Sequence, residues 1–297
     1  MFTSKDVMEL RKKTGAGVAD CQKALKETDG NMEKAVDFLR EKGIATAAKK
    51  ASRIAAEGIV LASVKENVGV LVEVNCETDF VAKGDQYIDF VKGVAEYVLN
   101  NDVADIDALV AAKNDETVAA TAKIGEKIAI RRFAKYTADN GAIESYIHMG
   151  GKVGVLVEIE GCTCPVAHEL AHDVALQIAA SKPLYLVPEE VPSDVIEHEK
   201  EILLAQIKND PKLANKPEQV IVKMVEGKIN KYYDENCLLR QAFVKDPSLT
   251  IEKVVKNCSD KMGKVVSIKR FTRFEMGEGL EKRNDDFASE VAAQMNK

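Results

Sequence analysis

The side chains capable of chemistry fall in four places. Thr78-Asp79-Phe80-Val81 follows a strand-like run directly and sets an aromatic ring beside a carboxylate, outside the period of any strand or helix. Two readings stand. Phe80 folds back onto its own core, or it is an exposed apolar plug with an adjacent carboxylate on a rigid strand end. Cys162, Cys164, His168 and His172 put two thiols and two imidazoles within eleven residues, a donor set that zinc would accept. The spacing argues against zinc: C-x-C is tighter than the usual C-x₂₋₄-C, and His168 follows Cys164 by only four positions. Buried small thiols beside surface histidines are expected instead. His148 stands alone beside Gly150-Gly151. The run Ile130-Arg131-Arg132-Phe133-Ala134-Lys135-Tyr136, echoed from Ile268 to Phe274, mixes basic and aromatic residues. Strand alternation, one face buried and one solvated, explains it better than nucleic-acid contact. No phosphate loop, G-x-G-x-x-G, H-E-x-x-H or G-x-S-x-G motif occurs, so neither catalysis nor a cofactor is expected.

Those residues need elements to position them. Thr3 or Ser4 caps a first helix with Val7 and Leu10 inward, and Gly15-Ala16-Gly17 breaks it. Val18 to Thr28 and a run capped by Asn31 complete a three-helix bundle, with Gly43 as the expected stop. A lysine- and alanine-rich tether follows from Ala45 to Ala56 and is expected to be helical and exposed. Gly58 to Val64 and Val68 to Val74 then read as a hairpin, and Tyr87 to Leu99 as a helix.

The run Val68-Gly-Val-Leu-Val-Glu-Val74 recurs as Val153-Gly-Val-Leu-Val-Glu-Ile159, 85 positions on. The following helix recurs at an offset of 80, and Ile128–Phe133 recurs as Val266–Phe271 at 138. The expected fold class is therefore α+β: an N-terminal three-helix bundle, then duplicated core subdomains with antiparallel sheets. Falling offsets place five extra residues in the first half, within Asn75–Asp85, which holds the Thr78–Val81 segment. Rising offsets place an insert of 58 residues in the second half, about 187–246, which reads as a helical hairpin (Ser193–Lys208 and Pro217–Tyr233). That hairpin either pairs with a second copy in a homodimer or closes only on itself. A last helix is expected at about Asp285 to Met295. The expected divisions are 1–53, 54–139, 140–275 and 276–297.

Of 297 residues, 46% are hydrophobic and 30% charged, ordinary for a soluble globular chain. Lys and Arg number 42 against 48 Asp and Glu, a net charge of −6. That balance disfavours general nucleic-acid binding and anionic membranes. No apolar run approaches a membrane span, and the start, MFTSKDVMELRKKTG, has no apolar export core. Six irregularly spaced cysteines do not read as a disulfide framework. A cytoplasmic protein is expected.

Three motifs in order resemble the bacterial translation elongation factor Ts family. Leu10-Arg-Lys-Lys-Thr-Gly-Ala-Gly17 with Asp20-Cys-Gln-Lys-Ala-Leu25 is similar to its opening module, a ubiquitin-associated (UBA)-type bundle. Glu73-Val-Asn-Cys-Glu-Thr-Asp-Phe-Val-Ala82 is similar to its signature segment, and Phe274-Glu-Met-Gly-Glu-Gly-Leu-Glu-Lys282 to its C-terminal module, expected to be helical. The resemblance implies a guanine nucleotide exchange factor for the GTPase elongation factor Tu, without catalytic chemistry of its own. It implies that Thr78, Asp79, Phe80 and Val81 enter near the GTPase's magnesium and phosphate site. Phe80 would wedge there and dislodge Mg²⁺. Further partner contacts would fall on Arg11, Val18, Ala19, Ile124, Gly125, His148 and Gly277–Lys282. Two other classes compete: an adaptor that uses only the N-terminal bundle, and a thiol or zinc enzyme built on Cys162, Cys164, His168 and His172.

Overall fold

The computed structural model describes residues 2–210, 213 and 216–281. Helices α1 (Ser4–Thr14), α2 (Val18–Glu27) and α3 (Met32–Lys50) open the chain. Thr3 starts α1 through a capping box with Asp6, each side chain taking the other's backbone N–H. Val7, Leu10, Cys21, Ala24, Leu25 and Ala35 form the bundle's core. Gly43 does not end α3. The helix runs two turns further because Gly43 is buried facing a later helix, α7, near Val118 and Ala122. The Lys50 ammonium also donates to the Gly125 carbonyl. The first half of the expected tether, residues 45–50, is thus helix as expected, continuous with α3 and tied to the end of α7 through Lys50.

Strands β1 (Glu57–Lys65) and β2 (Val68–Cys76) form the expected hairpin. A single helical turn, α4 (Asp79–Ala82), precedes α5 (Asp85–Asn100). Two helices not anticipated from the sequence follow, α6 (Ile106–Ala112) and α7 (Asn114–Ile124), then β3 (Ala129–Thr137). The second half repeats the scheme with β4 (Gly141–His148), β5 (Val153–Glu160) and α8 (Pro165–Ser181). A projecting helix pair, α9 (Ser193–Asn209) and α10 (Glu218–Asn236), packs through Ile207, Val225 and Ile229. A short ladder of β6 (Ala242–Phe243) and β7 (Asp246–Thr250) leads into α11 (Ile251–Met262), also unanticipated, and then β8 (Ser267–Glu275). The fold is mixed helix and antiparallel sheet.

Both three-stranded sheets have the same order, β1-β2-β3 and β4-β5-β8. Alternation decides their faces. Val70, Val72 and Val74 of β2 pack with Tyr87, Val91, Val94 and Val98 of α5. Val155, Val157 and Ile159 of β5 pack with Leu170, Val174 and Ile178 of α8. Leu71 and Leu156, on the opposite faces, meet Val60, Tyr136, Ile143 and Phe274 where the two sheets lie against each other. Gly69 and Gly154 occupy matched positions there. A Cβ on Gly69 would sit 2.9 Å from Leu156 Cδ1, and one on Gly154 would sit 2.8 Å from Leu71 Cδ1. Neither strand could approach so closely with a side chain at that position.

A bulge interrupts the third strand of each sheet, with Arg131 of β3 the extra residue opposite the step after Glu73 in β2, and Lys269 of β8 the extra residue opposite the step after Glu158 in β5. It gives each buried glutamate two cations that are neighbours in sequence. Glu73 takes Arg131 Nη1 at 2.9 Å and Arg132 Nε at 2.5 Å; Glu158 takes Lys269 Nζ at 2.9 Å and Arg270 Nε at 2.6 Å. Simple in-and-out alternation of the basic run is thus replaced by paired residues that reach one carboxylate. The guanidinium of Arg132 lies 4.3 Å over Phe274 of the other sheet, and Arg270 lies 4.1 Å over Tyr136. Each half therefore lends an aromatic ring to the other's arginine. Residues 276–281 fold as turns rather than a helix: Gly277 N–H donates to Glu73 at 2.8 Å, and Arg131 reaches the Glu278 carbonyl. Lys282 and the expected helix at about Asp285 to Met295 lie outside the described residues.

Candidate functional site

The loop between the second strand and the next helix differs between the halves. The second half crosses with Gly161–Cys164, whereas the first inserts α4. Thr78 is the N-cap of α4, its hydroxyl accepting Val81 N–H at 3.3 Å. Glu126, beyond α7, fixes the base: its carboxylate accepts Glu77 N–H at 3.1 Å, Thr78 N–H at 3.0 Å and Thr78 Oγ1 at 2.7 Å. Glu77 returns the tie by accepting Lys127 N–H at 2.7 Å and an Arg53 guanidinium nitrogen at 3.2 Å. Beneath, Cys76 Sγ donates to the Thr78 carbonyl at 3.2 Å and Tyr87 OH to the Val74 carbonyl at 2.6 Å. Burial pushes the Cys76 thiol up to about 12, so it stays protonated and serves as a donor.

On this base Ala82 is buried and Val81 packs against the first core, while Phe80 is 83% exposed. Of the two readings of Phe80, the outward one describes the structure. Asp79 pairs with Lys83 at 2.7 Å, and that hydrogen bond holds its carboxyl below the usual range. A large aromatic left in water on a stiff support is an unmet apolar contact rather than core packing.

Asp79 and Lys83 border a groove of about 570 Å³, whose opposite wall is the β4–β5 turn with Ile147, Met149 and Gly150. His148, the last residue of β4, is exposed and its Nδ1 lies 3.0 Å from Tyr146 OH. The structure thus brings Asp79 and the neighbours of His148 to one groove from separate halves. Met149, 67% exposed, and Ile147 were missed from the sequence. The available signal was a Met-Gly-Gly turn two residues longer than its first-half counterpart. Arg11, Val18 and Ala19 are exposed on the bundle, where the α1–α2 turn approaches α7: a Cβ on Gly15 would lie 3.3 Å from Lys123 Nζ. Ile124 is half-buried in the first core, and Gly125, left-handed at φ 87°, caps α7.

The suspected zinc donors have other partners. His168 Nδ1 lies 2.7 Å from Glu144, His172 meets the edge of Tyr146, and Cys162 and Cys164 are joined as a disulfide. That pairing differs from the free thiols expected: two residues of separation already bring the Cα atoms to 5.5 Å. Among the described residues, no group of three or more Cys, His, Asp or Glu is arranged to hold a metal ion, and no helix is long and apolar enough to cross a membrane.

The fold and this site define an α+β scaffold that carries an outward apolar finger. A family model described as Elongation factor TS matches residues 77–278, beginning at the base of the finger. Elongation factor Ts of Symbiobacterium thermophilum is 52% identical, over 99% of this chain and 98% of its own. The proteins of that name from Clostridium perfringens strain SM101 and Trichlorobacter lovleyi are 48% and 47% identical, each over 98% of both chains. The chain belongs to the elongation factor Ts family.

Proposed function

We propose that this chain is the guanine nucleotide exchange factor of elongation factor Tu. It binds the GDP form, and Thr78–Val81 enters beside the magnesium and phosphate site so that Phe80 dislodges Mg²⁺ and GDP leaves. The observation that supports this most is the outward Phe80 on a base tied down by Glu126. A wedge must not yield to the surface it opens, and the Glu126 bonds supply that stiffness.

Energetics require a grip besides the wedge. An acceleration of about 10⁴ needs roughly 5.5 kcal/mol off the barrier. Burying one phenyl ring supplies about 1.5–3 kcal/mol. The remainder is assigned to contacts of Arg11, Val18 and Ala19 on the bundle, Ile124 and Gly125 at the end of α7, His148 at the end of β4, and the segment from Gly277 to Lys282. In this reading the chain divides into a UBA-like bundle (1–53), two halves descended from one duplicated unit (54–139 and 140–275), an inserted arm (187–246) and a C-terminal module (276–297). It works in the cytoplasm, without a cofactor.

Because the coupling is reciprocal, GDP must weaken the factor's hold by the factor with which the factor weakens GDP. Fluorescent GDP release from Tu, with and without this protein, tests the proposal alongside the protein's affinity for GDP-bound and nucleotide-free Tu. Faster release and matching factors are expected. Release unchanged at saturating protein would overturn it.

A further inference from the structure

Where the first half carries its finger, the second half carries sulfur. The four-residue crossing Gly161-Cys162-Thr163-Cys164 runs from β5 into α8, with Cys164 as the N-cap and Pro165 at the first helical position. The Cys162 and Cys164 sulfurs are bonded, Cys164 N–H points to Cys162 Sγ at 3.2 Å, and Met262 Sδ lies 3.3 Å from Cys164 Sγ. The two cysteines are not equivalent. Cys162 is 5% exposed, whereas Cys164 is half-buried with access to solvent. No side chain caps α8, Pro165 has no N–H, and the Ala167 and His168 N–H groups donate to the Cys164 carbonyl, so the two sulfurs differ in access, with Cys164 the one an outside disulfide can reach.

We propose that Cys162 and Cys164 form a reversible thiol–disulfide couple, with Cys164 exchanging with a low-molecular-weight disulfide and Cys162 resolving the adduct. In the oxidising direction the Cys164 thiolate attacks one sulfur of the disulfide. Its S–S bond breaks, and one small thiolate leaves and takes up a proton. The Cys162 thiol gives up its proton and attacks Cys164 Sγ, expelling the second small thiol. The protein loses two electrons and two protons, and the small disulfide becomes two thiols. Excess dithiol reverses the sequence.

The other cysteines are held out of this chemistry. Burial pushes the thiols of Cys21, Cys237 and Cys258 upward, and that of Cys76 furthest. At neutral pH they remain thiols, which are poor nucleophiles.

The test uses the full-length protein, fully reduced, freed of reductant and incubated with glutathione disulfide at graded excess. Unreacted thiols are then alkylated and the products mapped by intact and peptide mass. Cys162 and Cys164 should become protected together, with loss of two hydrogens and no retained glutathione, while Cys21, Cys76, Cys237 and Cys258 are alkylated under denaturant. Cys162→Ser should trap glutathione on Cys164, and Cys164→Ser should take up at least tenfold less on Cys162. Full alkylation of both cysteines at high excess would overturn the couple, as would equal trapping in the two variants. Nucleotide exchange is not part of the readout, so the result is independent of the proposed function.

Discussion

The two halves agree inside and differ at the rim. Inside, they share a glycine at the sheet contact (Gly69, Gly154), a buried glutamate opposite a bulge (Glu73, Glu158) and an arginine laid over the other half's aromatic ring. At the rim, one half has an aromatic finger after its second strand and the other has two sulfurs. One has a tight turn between its first two strands, and the other a longer turn that exposes Met149. Residues that hold the sheets together are thus constrained in both halves, while loop ends are free to acquire separate work.

The largest expected departure from this symmetry is at the glutamates. Glu73 binds two arginines, the amide of Gly277 and Asn75, whereas among the described residues Glu158 binds Lys269 and Arg270 alone, which lie closer to water. Glu73→Ala should cost about 3 kcal/mol or more, because it strands buried partners. Glu158→Ala should cost visibly less, since its cations can turn to solvent. Urea midpoints with unchanged slopes would measure both, and equal losses would show that the Gly277 strap adds nothing.

Next in size are the sheet-contact glycines. Gly69→Ala and Gly154→Ala should each cost about 1–3 kcal/mol by overpacking, with similar values for the two. A loss at only one position, in thermal unfolding, would break the equivalence of the two strands.

At the end of the third strand, acid should act on the second half alone. Arg273 and Lys182 hydrogen-bond Glu275 and hold its carboxyl down at about 2, against an ordinary 4.5. A carboxyl held low in the fold contributes stability above its unfolded value, and this is lost as pH falls from about 4.5 toward 2. The matching first-half position is Thr137, which has no charge. Glu275→Gln should therefore flatten the fall of stability over that range, by a small amount because the group is well solvated. An unaltered pH profile would count against the pair.

Smallest, and of opposite sign, is Gly93→Ala in α5. A Cβ there meets nothing within 4 Å, so the change should stabilise by about 0.5–1 kcal/mol through helix entropy alone. A lowered melting temperature would reveal a neighbour that the packing does not show.

Much of this was legible in the sequence because period and repetition are local signals. The strands carrying Val70, Val72 and Val74, or Val155 and Val157, announce themselves by alternation, and α5 by its 3.6-residue stripe. The finger showed as a difference in length between repeats. Its outward ring did not, because what fixes it is Glu126, 48 positions away in the chain from Thr78. Helix α7, Asn-Asp-Glu-Thr-Val-Ala-Ala-Thr-Ala-Lys-Ile, has too little apolar contrast to stand out, and it is also the surface that carries α3 past Gly43. Bulges leave no composition signal at all, so the convergence of Arg131 and Arg132 on Glu73 needed the strand register.

The central claim is that one ring, on one half, opens the nucleotide pocket of elongation factor Tu while other surfaces hold on. The most direct test compares Phe80→Ala with the unaltered protein in stopped-flow release of fluorescent GDP from Tu, at saturating factor, with binding measured alongside. Release should slow by about tenfold or more, as expected for about 1.5–3 kcal/mol of lost ring burial, while affinity for nucleotide-free Tu changes much less and the melting temperature of the free protein hardly moves. Release at the unaltered rate by a fully bound Phe80→Ala protein would contradict the account.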